Sequence, residues 1–267
     1  MEKLNIGLES VPQTMLLTLY ARAKYSQQPR HEFYDQRSVD IVSQLDYDFS
    51  IADKDVAMRN GTVARTIVLD KLVREYLEKN PNATVINLGC GLDTRFYRLD
   101  NGQVHWWNVD LSEPLSVRRR FFQETERVHM IPASAMDEAW AQAVGKVDCP
   151  VCVIMEGLAM YLSEEDIRQI FKIIDSNFTH ATVFLEIMPH IWQRRGHKIE
   201  KSVAATKAVF TWSANSGKEV VPLAPAFKWE RDYQLTYGMC KLYPAMRLIS
   251  WLPIWGKISE KITIFVK

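Results

Sequence analysis

Apolar residues in the middle of the chain fall into short continuous runs that alternate with segments of helix-like spacing. The continuous runs predict buried strands over residues 83–88, 104–109, 127–131, 150–155 and 181–187. The segments between them predict helices near residues 92–99, 113–124, 136–143 and 163–176. Repeated strand–helix units of this kind predict an α/β fold with a mostly parallel sheet and right-handed crossovers.

The two ends of the chain depart from this alternation. Helical spacing of apolar residues predicts helices over residues 11–28, near 38–45 and over 55–79. The third of these could break near Asn60-Gly61, and Asp46–Phe49 is predicted to be a loop. Near the other terminus, Lys261–Val266 predicts a closing strand, which can insert antiparallel because no helix follows it.

Two of the predicted helices begin with capping residues. In Ser112-Glu113-Pro114 the serine is expected to cap the helix, and the proline is tolerated in its first turn. Ser163–Asp166 resembles a capping box with aspartate as the reciprocal partner.

The composition is that of an ordinary globular protein. Of 267 residues, 47% are hydrophobic and 24% are charged, and the net charge of +1 gives no field that would recruit nucleic acid or an anionic membrane. No apolar run approaches the roughly 20 residues that span a bilayer. We therefore expect a cytoplasmic protein. The sequence leaves its oligomeric state open between monomer and homodimer. The run Arg118–Arg120 is interpreted as a solvated face.

Cys149 and Cys152 have the spacing of a redox dithiol or of half a zinc site. No second such pair and no paired histidines complete a zinc site, so no metal is expected. The pair also leads into a strand, whereas a thioredoxin-like thiol would open a helix. We interpret both cysteines as buried thiols in a reducing cytosol.

The most informative local pattern is a glycine turn after the first strand. Gly89-Cys90-Gly91 follows an apolar run, and Asp110 ends the second strand about 20 residues later. A glycine turn lets a ligand lie against bare backbone, and a carboxylate at that spacing can hold the hydroxyls of a ribose. The pattern predicts an adenosine-bearing cofactor across the ends of two parallel strands.

The residues after the two glycines favour one cofactor class over another. The dinucleotide fingerprint needs a third glycine, but Thr94 stands there and Asp93 lies within the turn. A carboxylate would repel a pyrophosphate, whereas S-adenosylmethionine carries a sulfonium and an amino group and no phosphate. We therefore favour S-adenosylmethionine, with a nicotinamide oxidoreductase as a weaker alternative. Asp93 could instead cap the following helix.

Several longer motifs resemble one known family. They are Val85–Leu99, Trp107–Glu113 and Glu156–Leu162, with Pro12–Ala23 and Asp46–Phe49 nearer the N-terminus. On these residues the sequence resembles the leucine carboxyl methyltransferase-like family, and most closely its polyketide-synthesis (tetracenomycin-type) O-methyltransferases.

The resemblance implies a Rossmann-like class I methyltransferase with a mostly parallel seven-stranded sheet and helices on both faces. It implies a single S-adenosylmethionine-dependent domain over residues 1–267. Within it, residues 1–80 would form an N-terminal helical lid, 81–187 the cofactor-binding core, and 188–267 an acceptor-side insertion with the closing strands.

The resemblance also implies the residues that hold the methyl donor. Arg65 matches an arginine that grips the donor's carboxylate, Asp110 the ribose-binding acid, and Glu156 an acid near the donor's amino group. Ala135 and Met136 match the segment beside the adenine, where many relatives carry an acid, so Asp137 or the backbone would meet the adenine amino group. The expected cofactor-binding residues are Arg65, Gly89, Cys90, Gly91, Asp93, Asp110, Leu111, Ala135, Met136, Glu156 and Gly157.

The acceptor is expected between the N-terminal helices and the segment from about residue 188 to 240. The residues predicted to contact it are Tyr20, Arg22, Tyr161, His190, Trp192 and Trp212. His190, Arg194, Arg195 and His197 are either solvated charges or an anion-binding rim. No catalytic residue is assigned, because a carboxylic acid is already ionised at neutral pH, whereas a phenol would benefit from a base.

The expected function is S-adenosylmethionine-dependent O-methylation of a hydroxyl or carboxyl group on a polyketide-like small molecule, with S-adenosyl-L-homocysteine as the by-product. Two alternatives stay open. One is a cofactor-binding or regulatory protein without catalysis, and the other is a methyltransferase for protein C-terminal carboxyl groups.

Overall fold

A seven-stranded sheet forms the centre of the computed structural model, which describes residue 4, residues 10–193, residue 205 and residues 209–267. The strands are β1 Thr84–Leu88, β2 His105–Asp110, β3 Val128–Pro132, β4 Val151–Met155, β5 Ala181–Ile187, β6 Lys228–Gln234 and β7 Lys261–Val266. Their order is β3-β2-β1-β4-β5-β7-β6. The first five strands are parallel, and β7 runs antiparallel to both β5 and β6. The predicted sheet and the antiparallel closing strand are confirmed.

The described helices lie before, between and after the strands. They are α1 Ser10–Ser26, α2 Gln36–Gln44, α3 Ser50–Lys54, α4 Val56–Lys79, α5 Arg95–Leu99, α6 Ser112–Arg118, α7 Ala139–Val144, α8 Glu164–Asn177, α9 Thr236–Leu242 and α10 Pro253–Ile258. Within the described ranges, no helix has both the length and the apolar character needed to cross a bilayer.

Helices cover both faces of the sheet, which explains why the central strands read as continuous apolar runs. Every residue of β1 and β4 is buried. Because side chains alternate along a strand, Ile86 and Leu88 pack with α8 in one cluster, whereas Val85 packs with Val68 and Leu72 of α4 in another. These two cores hold β1 rigidly, so the turn that follows it has a fixed position.

Helix α6 is shorter than predicted and starts differently. It ends at Arg118 rather than near residue 124, in turns where the N–H groups of Arg120 and Phe121 bond to carbonyls three residues back. Phe122 then turns inward and stacks on Tyr97 with ring centroids 5.5 Å apart. Ser112 is already helical and is not the cap, because Leu111 precedes the helix and offers no capping side chain. The predicted serine cap was therefore wrong.

Other local predictions have mixed outcomes. The capping box of Ser163 and Asp166 is confirmed. Helix α4 runs unbroken through Asn60-Gly61, because Gly61 makes no unusual turn and its surroundings are open. Cys149 is half-buried and Cys152 is buried, both as free thiols, and burial raises the pKa of Cys152.

Candidate functional site

The turn after β1 requires both of its glycines. Gly89 and Gly91 have φ angles of 66° and 44°, in the left-handed region that glycine adopts at little cost. The N–H groups of Gly89 and Cys90 both donate to the carbonyl of Val109, at 2.9 and 3.1 Å, which holds the turn against β2. A Cβ at Gly91 would lie 3.0 Å from Cβ of Met15 on α1. The turn and helix α1 therefore pack so closely that a methyl group at Gly91 would have to displace Met15 by a few tenths of an ångström.

Asp110 closes this turn from the end of β2. Its Oδ2 accepts a hydrogen bond from the Gly91 N–H at 2.7 Å, and its Oδ1 accepts one from the Leu111 N–H at 2.8 Å. Burial raises the pKa of Asp110, and the two backbone N–H groups oppose that effect. Each carboxylate oxygen has a further lone pair. The carboxyl group is thus oriented by the backbone and can still accept bonds from a ligand.

A cavity of about 240 Å³ opens beside Asp110. Of the residues predicted to hold the cofactor, its walls include Gly89, Gly91, Asp110, Leu111, Ala135, Met136 and Gly157. Tyr161, which was predicted to touch the acceptor, lines the same cavity. The Ala135 carbonyl accepts a hydrogen bond from the buried Trp140 indole N–H at 2.9 Å, which fixes the segment on that wall.

A smaller and more polar cavity of about 80 Å³ adjoins the first. The two share Thr14, Met15, Gly89, Gly91 and Gly157 in their walls, so they meet around the glycine turn beneath helix α1. The second cavity also reaches predicted cofactor and acceptor residues, namely Arg22, Arg65, Cys90, Asp93 and Glu156.

Arg65 and Glu156 belong to a buried ion-pair network under the second cavity. Arg65 donates to Glu156 Oε1 through Nε at 2.7 Å and to Glu186 Oε1 through Nη1 at 3.0 Å. Burial opposes ionisation of Glu156, but the charges of Arg95 and Arg65 outweigh burial and lower its pKa. Burial raises the pKa of Glu186, although Arg65 opposes the shift.

Arg95 connects these acids to the rest of the network. It donates to Glu156 Oε2 at 2.6 Å, to Asp93 Oδ2 at 2.8 Å and to Asp70 Oδ1 at 2.7 Å. Asp93 also accepts from the Asn87 amide at 2.9 Å and from the Arg95 backbone N–H at 3.0 Å. Asp93 thus braces the start of α5 as well as lining the cavity.

The network continues away from the cavity through Arg98, Asp35 and Arg22. Arg98 bridges Asp70 and Asp35, and Arg22 donates to Asp35 at 3.1 Å and to the Leu92 carbonyl at 2.9 Å. The linked groups are four arginines (Arg22, Arg65, Arg95, Arg98) and five carboxylates (Asp35, Asp70, Asp93, Glu156, Glu186). With all of them ionised, four positive and five negative charges leave a net charge of −1.

Arg118 was predicted to be solvated, and this was wrong. Its side chain is buried, and Nη1 donates to the carbonyls of Gly91 at 3.0 Å and Asp93 at 2.8 Å. Its guanidinium also lies over the Phe122 ring, 4.4 Å from the centroid. Arg118 therefore fastens the glycine turn without lining either cavity.

Sequence reasoning also missed Arg95 and Glu186. Both are buried, and both touch Glu156 or Arg65 directly. Glu186 did carry a signal, because a carboxylate inside the apolar run of β5 needs a buried partner. Arg95 lies within the first long motif, but its partners come from distant parts of the chain.

The remaining predicted acceptor residues do not gather at one place. Tyr20 stacks on Phe49 and donates to Asp53 at 2.9 Å, and Trp212 is buried in the larger core. His190 is exposed, with its ring nitrogens 2.7 Å from Ser213 Oγ and 3.1 Å from a Glu219 oxygen. Arg194, Arg195 and His197 lie outside the described residues.

Trp192 lines a third cavity, of about 250 Å³, on the other side of α4. Its indole N–H donates to the Ile258 carbonyl. The cavity lies where the acceptor was expected, between α4 and the segment after β5, but its wall extends to Glu260. Ala64 faces this cavity, and the adjacent Arg65 faces the polar one, so α4 separates the two.

Comparison with known proteins identifies the family. The sequence profile described as leucine carboxyl methyltransferase matches residues 16–175, which include the glycine turn, Asp110 and Glu156. The chain belongs to the leucine carboxyl methyltransferase family. It is an S-adenosylmethionine-dependent methyltransferase, as the resemblance implied.

Two relatives and one solved structure illustrate the similarity. The chain is 31% identical to the tetracenomycin polyketide synthesis O-methyltransferase TcmP of Streptomyces glaucescens, covering 86% of this chain and 85% of TcmP. It is 29% identical to the S-adenosyl-L-methionine-dependent methyltransferase dpfgK of Gibberella zeae, covering 97% and 96%. A DUF574 family protein from Streptomyces avermitilis shares the fold with a TM-score of 0.61 at 10% identity, covering 95% of this chain and 97% of that one.

The residues of the two adjoining cavities fit this cofactor class. A pyrophosphate would meet Asp93 and Glu156 around the turn, whereas a donor with a sulfonium and an ammonium group meets a network of net charge −1. Asp110 stands beside the less polar cavity, which has room for a flat ring system.

Proposed function

We propose that this methyltransferase transfers a methyl group to an oxygen atom of a small, polyketide-like molecule. The observation that carries the proposal is the pairing of an oriented carboxylate, Asp110, with the buried acidic network on either side of one glycine turn. The similarity to TcmP over most of both chains supports an oxygen acceptor.

In this proposal the adenosine part of the donor occupies the cavity beside Asp110. The carboxylate accepts hydrogen bonds from the ribose hydroxyls, while Leu111, Ala135 and Met136 flank the adenine ring. The bond from Trp140 to the Ala135 carbonyl keeps this wall in place. Because the two glycines bear no side chain, the donor can lie directly on the turn.

The methionine part of the donor would occupy the polar cavity. Nε and Nη1 of Arg65 are held by Glu156 and Glu186, and Nη2 is the nitrogen left to meet the donor's carboxylate. Glu156 lines the same cavity and would attract the donor's ammonium group. When all members of the network are ionised its net charge is −1, and a donor with one net positive charge would then balance it.

The bound donor supplies an electrophilic methyl group, and the chain supplies alignment and exclusion of water. Holding the acceptor oxygen in line with the methyl group can contribute about 7–11 kcal/mol, because an encounter in solution becomes an intramolecular step. Helix α1 covers the site, since Thr14 and Met15 border both donor cavities. We propose that α1 is part of the lid expected over residues 1–80.

The test is donor binding followed by product analysis. Calorimetric titration should detect binding of S-adenosylmethionine and S-adenosylhomocysteine but not of NAD. Asp110→Asn should weaken donor binding by about 1–3 kcal/mol, since it removes charged hydrogen bonds, while the exposed Asp148→Asn control should not. Incubation with a panel of small phenols and carboxylic acids should then give products one methyl group heavier.

Other outcomes would identify the alternatives. Donor binding without methylation of any acceptor would indicate a binding or regulatory protein. Methylation confined to peptide C-terminal carboxylates would indicate a protein methyltransferase. Binding of NAD in place of S-adenosylmethionine would overturn the assignment of the turn.

A further inference from the structure

We infer that the segment between α9 and β7 docks on anionic lipid bilayers, with a group of apolar side chains inserted among the lipids. These side chains are Leu248, Ile249, Trp251, Leu252 and Ile254, which we call the docking face. Membrane docking goes beyond methyl transfer, and its test needs neither a methyl donor nor an acceptor.

The docking face exposes large apolar side chains to solvent along one short stretch of chain. Leu248 is 78% exposed, Trp251 75% and Ile254 55%. Ile249 and Leu252 are 44% and 36% exposed. Single exposed apolar residues are common on protein surfaces, but a contiguous apolar patch indicates an interaction site. Because these five residues all lie between positions 248 and 254, they form such a patch.

A series of short turns holds the docking face in shape. The N–H groups of Ile249, Leu252 and Trp255 each donate to a carbonyl three residues back, at 3.0 to 3.1 Å. The Trp251 indole N–H donates to the Leu248 carbonyl at 2.9 Å. These donors are therefore satisfied within the segment, which lowers the cost of contact with hydrocarbon.

The opposite side of the same segment packs against the protein. Met246, Trp255 and Ile258 line the cavity of about 250 Å³ beyond α4. The segment is thus apolar on both sides. A helical segment that is apolar all round is normally covered on all sides by protein or by lipid. The described residues cover the side toward the cavity and leave the docking face in contact with solvent.

The charges around the docking face are complementary to anionic lipid headgroups. Residues 236–259 contain three cations, Lys241, Arg247 and Lys257, and no aspartate or glutamate. Lys241 pairs with Glu32 at 3.1 Å, whereas Arg247 and Lys257 are exposed and form no ion pair with the described residues. Exposed cations beside exposed apolar side chains are typical of segments that lie in a membrane surface. Each such cation is attracted by the negative surface potential of an anionic bilayer.

The net charge of the whole chain conceals this local excess of cations. That charge is +1, and it predicts no long-range field that would recruit a membrane. A surface cation acts within about one Debye length, roughly 8 Å at physiological ionic strength. The acids nearest to the segment along the chain, Asp232 and Glu260, are half-buried and lie outside it. The cations beside the docking face can therefore act on a bilayer that the average charge would not attract.

A second copy of this chain fits the docking face less well. In a symmetric dimer the same surface meets itself, so Arg247 and Lys257 would face the same two cations of the other copy. The segment has no acid to pair with them, and like charges across an interface are unfavourable. Trp251 instead suits the boundary between lipid tails and headgroups, where tryptophan is enriched.

Vesicle binding tests the inference. The protein is mixed with vesicles of equal parts phosphatidylcholine and phosphatidylglycerol, or of phosphatidylcholine alone, and the bound fraction is measured by co-sedimentation. We expect binding to the anionic vesicles that weakens as salt is added, and much weaker binding to the neutral vesicles. Arg247→Gln and Lys257→Gln should each weaken binding to anionic vesicles about fivefold, because each removes one cation near the lipid surface.

Substitutions in the docking face test the apolar contribution. Trp251→Ala and Ile254→Ala should each weaken vesicle binding about tenfold, because both remove apolar surface that lipid would bury. Ile51→Ala is the matched control for Ile254→Ala, since Ile51 on α3 is 51% exposed. Arg120→Gln is the control for the basic substitutions, because Arg120 is exposed outside the segment. Both controls should bind vesicles as wild type does, and every variant should unfold at the wild-type temperature.

Three results would overturn the inference. They are no binding to the anionic vesicles, equal binding to anionic and neutral vesicles, and unchanged binding in all four variants of the segment. Sedimentation velocity without lipid tests the second copy directly. A dimer that Trp251→Ala dissociates would assign the docking face to self-association in place of a membrane.

Discussion

Arg65 and Glu156 form a largely buried ion pair, with 2.7 Å between Nε and Oε1, across 91 residues of sequence. Arg65 lies on α4 and Glu156 follows β4, so the pair connects the N-terminal helices to the central sheet. The same guanidinium contacts Glu186 on β5. Arg65 therefore has two tasks, because it neutralises Glu156 and Glu186 and borders the polar cavity.

These two tasks can be separated by mutation. Arg65→Ala should lower the free energy of unfolding by about 3–5 kcal/mol, because it leaves buried carboxylates without their partner. It should also weaken binding of S-adenosylmethionine by about 1.5–3 kcal/mol, through loss of a charged hydrogen bond. Urea denaturation measures the first effect, and calorimetry measures the second.

The double variant Arg65→Ala/Glu186→Gln distinguishes the two effects. It should recover much of the lost stability, because an uncharged amide replaces the buried acid, but it should not recover donor affinity. Adenosine lacks the donor's carboxylate, so its affinity should be the same in wild type and in the double variant. A double variant that still preferred S-adenosylmethionine to adenosine as strongly as wild type would contradict the role of Arg65.

Ionisation of Asp35 should make the free energy of unfolding depend on pH. Burial disfavours its ionisation, but Arg98 and Arg22 outweigh burial and lower its pKa to about 2. A carboxylate with a lowered pKa stabilises the folded state above its unfolded pKa of about 3.9, and this contribution is lost as the pH falls through the folded value. The unfolding free energy of wild type should therefore exceed that of Asp35→Asn, and this difference should be about 2 kcal/mol larger at pH 5 than at pH 2.

Urea unfolding at several pH values between 2 and 5 would measure this difference, with Asp148→Asn as the exposed control. The control should follow wild type throughout. If the gap between wild type and Asp35→Asn were constant over this pH range, Asp35 would not be the titrating group.

Arg118 should hold the glycine turn in its binding geometry. Arg118→Ala removes the donor to the carbonyls of Gly91 and Asp93, and should cost about 1.5–3 kcal/mol of stability because those bonds involve a charged group. S-adenosylmethionine should bind more weakly as well, although Arg118 borders neither donor cavity. Arg120→Ala is the matched control, since Arg120 is exposed in the same arginine run. Equal effects of the two substitutions would indicate that the Arg118 side chain is solvated, as the sequence predicted.

Arg118 also illustrates what the sequence could not reveal. Three consecutive arginines are typical of a solvated helix face, and the carbonyls that bury the first of them lie more than twenty residues away along the chain. Edge strand β6 was missed for a related reason. Most of its side chains are exposed or half-buried, so it lacks the apolar run that made β1 and β4 easy to recognise.

The candidate site was predictable where local backbone rules apply. The two glycines after β1 and the acid after β2 follow from the geometry of parallel strands, and the structure brings them together. No comparable local rule predicts whether an aromatic residue lines a cavity or packs in the core. Trp192 and Trp212 look alike in sequence, but Trp192 lines the cavity beyond α4 and Trp212 is buried in the core. Only the long-range packing of α4, β5 and β7 separates the two cases.

Gly91 gives the most direct test of the turn as a donor-binding surface. Gly91→Ala should cost about 1–2 kcal/mol of stability, since it forces a left-handed conformation on an L-residue. It should also push the new Cβ against Met15, 3.0 Å away, and so displace α1 from the donor cavities. Gly102→Ala is the matched control, because Gly102 has a φ of 82° and nothing within 4 Å of a new Cβ.

Both substitutions should therefore lower stability in urea denaturation, but only Gly91→Ala should weaken binding of S-adenosylhomocysteine. Adding Met15→Ala to Gly91→Ala shortens the side chain that meets the new methyl group, so part of the lost affinity should return if displacement of α1 is the cause. If the double variant recovers none of the lost affinity, the new methyl group itself blocks the ligand. Unchanged affinity in Gly91→Ala would mean that the donor does not lie on the turn at all.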